Sequence, residues 1–403
     1  MRQNCRRRTE TPFIFGIDRM ATSKKTECVV IVDGRDISSA LMPRLLNLNI
    51  SDKAGASSDT VRIDLDDADG KILLPSEGVT ISVSLGSGGK GAGVAFRGVV
   101  DEVRSKGSRS EGRVLSISGK GFDAQGKPKQ QQEKHWDEKK LGDVFAEAAK
   151  LGGIENVRVD EELASIMRPY WAMQSESFIH FGERLAREVG GTFKISNDVA
   201  ILAKRNGGKS ASGKPLAIIN AAYGDNLIAW DIAPVTGRPR YSKTKTRWYD
   251  AKTATWKSEE VEIEDEKAKA EFMSRYPAGD AAEAKRLSES RKTDSERAKG
   301  EGSITIDGNA EAQPEGTVNL SGSRPGIDGT YRIDTVNHDF SRSTGWVTRL
   351  DVKQPQGDAG TDKRKSSNKS RTGGRTAARP PSSSNAEQAG TPSLSGNPGT
   401  NIA

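Results

Sequence analysis

Between Glu27 and about Phe122, apolar and polar residues alternate with period two, at Val61, Ile63 and Leu65, at Val79, Ile81, Val83 and Leu85, and at Leu115 and Ile117. Successive side chains on a strand leave on opposite faces, so each run predicts a strand with one apolar face. Turn-forming residues separate the runs at Asp33-Gly34, Asp69-Gly70, Glu77-Gly78, Gly86 to Gly93 and Gly107 to Gly112. Roughly six short strands at this spacing predict an antiparallel barrel or sandwich.

The period then changes. After a polar linker, Gly126 to Glu133, the residues Leu141, Val144, Phe145, Ala148 and Leu151 share one helical face, and Gly152-Gly153 stops the helix. A second helix is predicted to open after Gln174 with Ser175 as its cap, carrying Phe178, Phe181, Leu185 and Val189 before Gly190-Gly191. Strands at Thr192 to Ile195 and Val199 to Ala203 complete a small α/β unit. From about Lys214 strand patterns return, at Leu227 to Ile232, Lys245 to Trp256, Ser303 to Ile306, Thr317 to Leu320, Tyr331 to Asp339 and Trp346 to Val352. They surround a charged helical stretch, Val261 to Lys299, broken at Pro277, in which Asp280 is placed to cap a helix.

Two hairpins look alike. Phe96-Arg97 leads through Val100 and Val103 to Gly112, Val114 and Ile117; Tyr331-Arg332 leads through Ile333 and Val336 to Gly345, Val347 and Leu350, with the first loop two residues longer. The likeness suggests that the two β regions are duplicates. Residues 354–403 have no aromatic residue, and Leu394 and Ile402 are their only large aliphatic ones. Such a segment buries too little apolar surface to offset its ordering entropy. The expected fold is therefore mainly β with an α+β part: antiparallel β-barrel domains at 27–122 and 207–353 flank a small α/β domain at 123–206. The second barrel carries a helical insertion at 261–299, and a disordered tail runs over 354–403. Residues 1–26 read as a disordered or mis-started arm, and the segment before Met20 as an upstream-start extension or a disordered arm without a folded role.

Charge narrows the function classes. The chain has 62 Lys and Arg against 55 Asp and Glu, a net charge of +7. Five basic and two acidic residues precede Met20, and seven basic and three acidic residues follow Lys353, so the ends hold the whole excess and the stretch between is balanced. A groove tracking nucleic acid needs its basic surplus on the folded part. Two cysteines and three histidines supply no disulfide scaffold and no metal-ligand spacing. No apolar run approaches the roughly 20 residues of a membrane helix, so no membrane anchor is expected.

Individual motifs fail on context. Gly86 to Gly91 fits a dinucleotide fingerprint letter by letter, yet strand residues Val94 to Val100 follow where that chemistry needs a helix N-terminus. Asp64 to Gly70 is acidic, but with Gly70 as the sixth position of a calcium loop the first ligand would be Leu65. His338 and Asp339 are neighbours on a strand and point to opposite faces, so they cannot act as a base and its orienter. His135 and His180 read as structural. No catalytic, cofactor-binding or metal-binding residue is nominated, and no cofactor is expected.

Four segments together resemble the phage late control gene D protein family, the tail hub proteins: Ser58 to Gly70, Gly98 to Val103, Gln174 to Gly190 and Ser321 to His338. The chain departs from that pattern in its basic arm, its long tail and the small residue in Phe181-Gly182. The resemblance implies tail-tube-like barrels and a structural, non-enzymatic homotrimer, similar to the hub part of type VI secretion spike proteins. Its implied partners are a trimeric tail spike, a hexameric tail tube or tube-initiator protein and the tape measure protein, with DNA as passing cargo. Its implied place is the baseplate of a contractile virion tail, after assembly in the host cytoplasm. The competing classes are a tail-associated peptidoglycan-degrading enzyme and a nucleic-acid-binding late regulatory protein, the latter without a helix-turn-helix signature or a basic core.

Overall fold

A computed structural model describes residues 26–362 and 364, apart from 56–57, 88–92, 111, 123–125, 197, 211, 235, 239, 264, 266–267 and 358. The arm expected before residue 26, and the tail from 365 onward, lie outside the described residues. The first β region holds β1 (Thr26–Val32), β2 (Leu45–Lys53), β3 (Thr60–Asp66), β4 (Thr80–Ser87), β5 (Val94–Ser108) and β6 (Gly112–Lys120). All pair antiparallel, in the spatial order β2-β3-β6-β5-β4-β1. The alternating runs do what the period requires: Val61, Ile63 and Leu65, then Ile81, Val83 and Leu85, bury one face in a shared core with Leu115 and Ile117.

The middle unit comprises β7 (Gln131–Lys140), α1 (Leu141–Leu151), β8 (Asn156–Val159), β9 (Met167–Ser177), α2 (Phe178–Val189), β10 (Gly191–Ser196) and β11 (Val199–Lys204). Its core gathers Leu141, Val144 and Phe145 of α1 with Phe178, Phe181, Leu185 and Val189 of α2. The expected linker ends early, because β7 begins at Gln131 and pairs with β9. The cap of α2 is Ser177, not Ser175: Ser177 Oγ accepts the His180 N–H at 3.2 Å, while Ser175 sits at positive φ in a bulge of β9. Gly182 has a packing reason, since a Cβ there would lie 2.6 Å from the Phe193 ring. That ring occupies the space a larger residue would need.

The second β region holds β12 (Ile218–Ala222), β13 (Leu227–Ala233), β17 (Glu301–Asp307), β18 (Thr317–Ser321), β19 (Gly329–Ser341) and β20 (Gly345–Gln356). Between β13 and β17 lies an insertion with its own three-stranded sheet, β14 (Tyr241–Asp250), β15 (Thr255–Glu262) and β16 (Ala270–Met273), and one helix, α3 (Ala281–Arg297). The helical insertion expected over 261–299 is thus helical only from Ala281. Asp280 caps it as expected, accepting the Glu283 N–H at 2.7 Å. The disordered boundary expected at 354 is also corrected: β20 runs to Gln356, and Ala359 is buried against Gly329.

The two β regions share one 13-stranded sheet. Its seam is the antiparallel pairing of β2 with β19, from Lys53 opposite Thr335 to Leu48 opposite Phe340. Phe340 and Trp346 of the second region are buried in the core of the first.

Candidate functional site, a repeated strand pattern with two unpaired edges

The two β regions repeat one pattern of strands and bulges. β2, β3, β4, β5 and β6 correspond to β13, β17, β18, β19 and β20 in chain order, direction and neighbours. The sixth strands differ, since β1 runs antiparallel to β4 whereas β12 runs parallel to β18. In each hairpin a bulge places one aspartate outside the ladder, Asp101 in β5 and Asp334 in β19. Each is bound by a lysine of the opposite strand, Lys120 at 2.8 Å and Lys353 at 2.9 Å. A second shared bulge leaves Leu46 and Ile228 out of register and exposed, just after Leu45 and Leu227.

These landmarks correct the sequence alignment of the hairpins. Both close over three residues, between Ser108 and Gly112 and between Ser341 and Gly345, so the loops are equally long. The residue equivalent to Tyr331 is Gly98, not Phe96. A Cβ on Gly98 would lie 2.9 Å from Phe96 Cζ, so the Phe96 ring covers the glycine two residues along its own strand. An aromatic ring is kept in each region, but from different backbone positions.

Within the repeated pattern, the outer edge of β13 and the far half of β5 carry no ladder partner among the described residues. β13 pairs with β17 on one side only, and most of its residues are exposed, including Ile228 and Trp230. On β5, residues 94–99 pair with β4, whereas residues 102–107 pair with β6 alone. Unpaired edges of this kind are templates for another strand. A second apolar opening lies on the first region, about 690 Å³, between Ile37, Leu41, Leu65 and Ile72 and the exposed Leu73 and Leu74.

The ends of the sheet also differ. The hairpin tips, 108–112 and 341–345, lie at one end, where the Arg342 guanidinium donates to Pro43 O at 2.8 Å. At the other end sit the middle unit and the insertion, locked by buried ion pairs. Lys194 of β10 binds Asp52 at 2.6 Å and also Asp59. Arg297 of α3 binds Glu315 and Asp334, both at 2.9 Å, and donates to Asn206. Arg168 of β9 bridges Glu188 of α2 and Glu283 of α3. Burial pushes Asp52 up to about 6, opposed by Lys194 and reinforced by Asp59. Burial also works against the Arg297 charge, yet Glu315 and Asp334 outweigh it and hold its pKa above the ordinary value.

The motifs weighed in the sequence fall into structural roles. Gly86 and Ser87 end β4 and strand β5 follows, with residues 88–92 outside the described residues. Asp69 is held by Arg44 through two bonds of 2.7 Å, and Asp67 accepts the Ile72 N–H. His338 is buried, its Nδ1 lies 3.1 Å from Thr348 Oγ1, and burial lowers its pKa to about 4; its neighbour Asp339 faces Asn49 instead. His135 stacks on Tyr170, and His180 lies beside Glu176 at the start of α2. Sequence reasoning missed the two edges and the paired bulges. The available signals for the bulges were the repeated Leu-Leu and Leu-Ile dipeptides at 45–46 and 227–228, and a lysine at the same distance beyond each tip glycine.

The chain is predominantly β, and its curled antiparallel sheet has a fold similar to that of phage tail proteins. Residues 56–344 match the family described as phage tail baseplate hub (GPD), and the chain belongs to that family. It is 26% identical over 374 residues to a probable baseplate hub protein of Escherichia phage 186, covering 82% of this chain and 94% of the relative. Its fold is similar to the 43 kDa tail protein of prophage MuSo2 from Shewanella oneidensis, with a TM-score of 0.62 at 15% identity, covering 81% of this chain and 98% of the other. It is also similar to a component of the Escherichia coli type VI secretion system, with a TM-score of 0.51 at 11% identity, over 83% and 78% of the two chains.

Proposed function

We propose that three copies of this chain form the central ring of a contractile-tail baseplate, each giving two tube-like barrels, so that six similar units surround a channel for DNA. The observation that carries this reading is the combination of a repeated five-strand pattern with two unpaired edges. A closed ring removes such edges, and one chain cannot close it. The end bearing the hairpin tips offers six similar loops to a hexameric tail tube or tube-initiator protein. The opposite end bears the middle unit and the insertion, once per chain, and so presents threefold symmetry to a trimeric spike. The tape measure protein would contact the channel side.

In this reading the chain is a scaffold of the virion tail and not an enzyme. Native mass measurement of the full chain, alone and with a candidate spike, is expected to give a trimer and a trimer bound to one spike trimer. A monomer under both conditions would overturn the ring. Lysis zones on a peptidoglycan zymogram would overturn the assignment as a scaffold.

A further inference from the structure

Resting on that trimer, we infer that the closing contact between chains is a strand pairing of fixed register: Trp230, Asp231, Ile232 and Ala233 of one copy opposite Gly107, Lys106, Ser105 and Arg104 of the next. The template is inside the molecule. In the seam, β2 pairs with the half of β19 that lies beyond the Asp334 bulge. The equivalents of those two strands are β13 and the half of β5 beyond the Asp101 bulge, and both are left with an unpaired edge.

The register follows by transfer through shared partners. Leu48 lies opposite Ile63, which lies opposite Ile117; Trp230 lies opposite Ile304, which lies opposite Leu350. Ile117 and Leu350 are equivalent when the hairpins are aligned on their tips. Trp230 is therefore the counterpart of Leu48, Asp231 of Asn49 and Ile232 of Ile50. By the same tip alignment Gly107 is the counterpart of Phe340, Lys106 of Asp339 and Ser105 of His338.

The substituted pairs are complementary in their new setting. Within the chain, the Asn49 amide donates to Asp339 at 2.8 Å. Between chains, Asp231 meets Lys106, an ion pair in place of that hydrogen bond. Leu48 opposite the buried Phe340 becomes Trp230 opposite Gly107, which moves the large ring to the other strand and leaves it room. Trp230 is on the core-facing side yet remains 37% exposed, as expected of a ring awaiting cover. Pro234 follows directly, and with no N–H to donate it limits the ladder to about four residues.

The test uses the full chain with Cys5→Ser, in which the buried Cys28 is the other cysteine. Ser105→Cys and Ile232→Cys in one chain become directly opposite on assembly, at a separation that suits a disulfide. Mild oxidation is expected to give a covalently closed trimer on a non-reducing gel. On that gel either single variant, or Ser105→Cys with Asp231→Cys, is expected to run largely as a single chain while remaining trimeric by native mass. A chain that is trimeric by native mass but does not cross-link at this pair would overturn the register and leave the ring standing. A chain that remains monomeric would overturn both. As a second readout, Asp231→Lys is expected to weaken the trimer at least tenfold, and adding Lys106→Asp to restore it; failure of the double exchange to restore assembly counts against the register.

Discussion

The two β regions share a strand pattern but place different residues at equivalent positions where they meet a neighbour. In the second region the hairpin ends in Phe340 and Trp346, which enter the core of the first region, and His338 is buried beside them. In the first region the same positions hold Gly107, Arg113 and Ser105, all exposed or half-exposed. A contact made within a chain forms at the moment of folding and tolerates large apolar groups. The same groups on an edge that waits for another copy would be a standing aggregation hazard. In the proposed ring, the polar version of the hairpin is the one that stays in water until the next copy covers it.

The comparison can be broken or sharpened by mutation. The largest expected effect is at the second bulge, where Arg297→Ala leaves Glu315 without its cation and Asp334 with only Lys353. Removing one partner of such a buried network costs about 4 kcal/mol, read as a lowered denaturation midpoint. Next, Phe340→Ala should cost about 3 kcal/mol through the cavity it opens in the first core, whereas Gly107→Ala in the isolated chain should change stability by only a few tenths. Equal effects would deny the asymmetry of the two hairpins.

His338 predicts a pH effect. Its folded pKa, lowered by burial to about 4, lies below the unfolded value of 6.5, so the unfolded state takes up the proton first. Its contribution is fully present above pH 6.5 and is lost as pH falls from there to about 4, amounting to about 3 kcal/mol. His338→Gln should flatten that part of the stability profile, and an unchanged slope would place the effect elsewhere. The smallest effect is at the bulge lysines. Lys120→Ala should cost below about 1 kcal/mol, as for other exposed pairs, and Lys353→Ala somewhat more, because Asp334 is less exposed than Asp101, 12% against 26%.

Much of the β framework could be read from period two, because the core faces of β3, β4 and β6 are pure aliphatic alternations. The cap at Asp280 was also plain, since a cap is a local interaction. β7 and β9 were not, because the apolar content of β7 is Trp136 alone and a bulge interrupts the register of β9. The insertion sheet was partly legible: the single strand expected over Lys245 to Trp256 is the hairpin of β14 and β15, which pair through Lys243, Lys245 and Glu260 rather than an apolar face. The hairpin likeness was visible but anchored on the wrong residue, since the sequence cannot show that the Phe96 ring reaches over Gly98. The edges themselves left no local mark. An unpaired strand is defined by what is absent beside it, which only topology reveals.

The seam between β2 and β19 has a mechanical consequence. Its six opposed residues lie side by side along a common axis, so a load that draws the two β regions apart lengthwise acts on the whole ladder at once, in shear. A load that opens the seam sideways, starting from Lys53 or from Leu48, meets the bonds one after another and peels them. The molecule is therefore stiff to thrust along its strands and compliant to splaying.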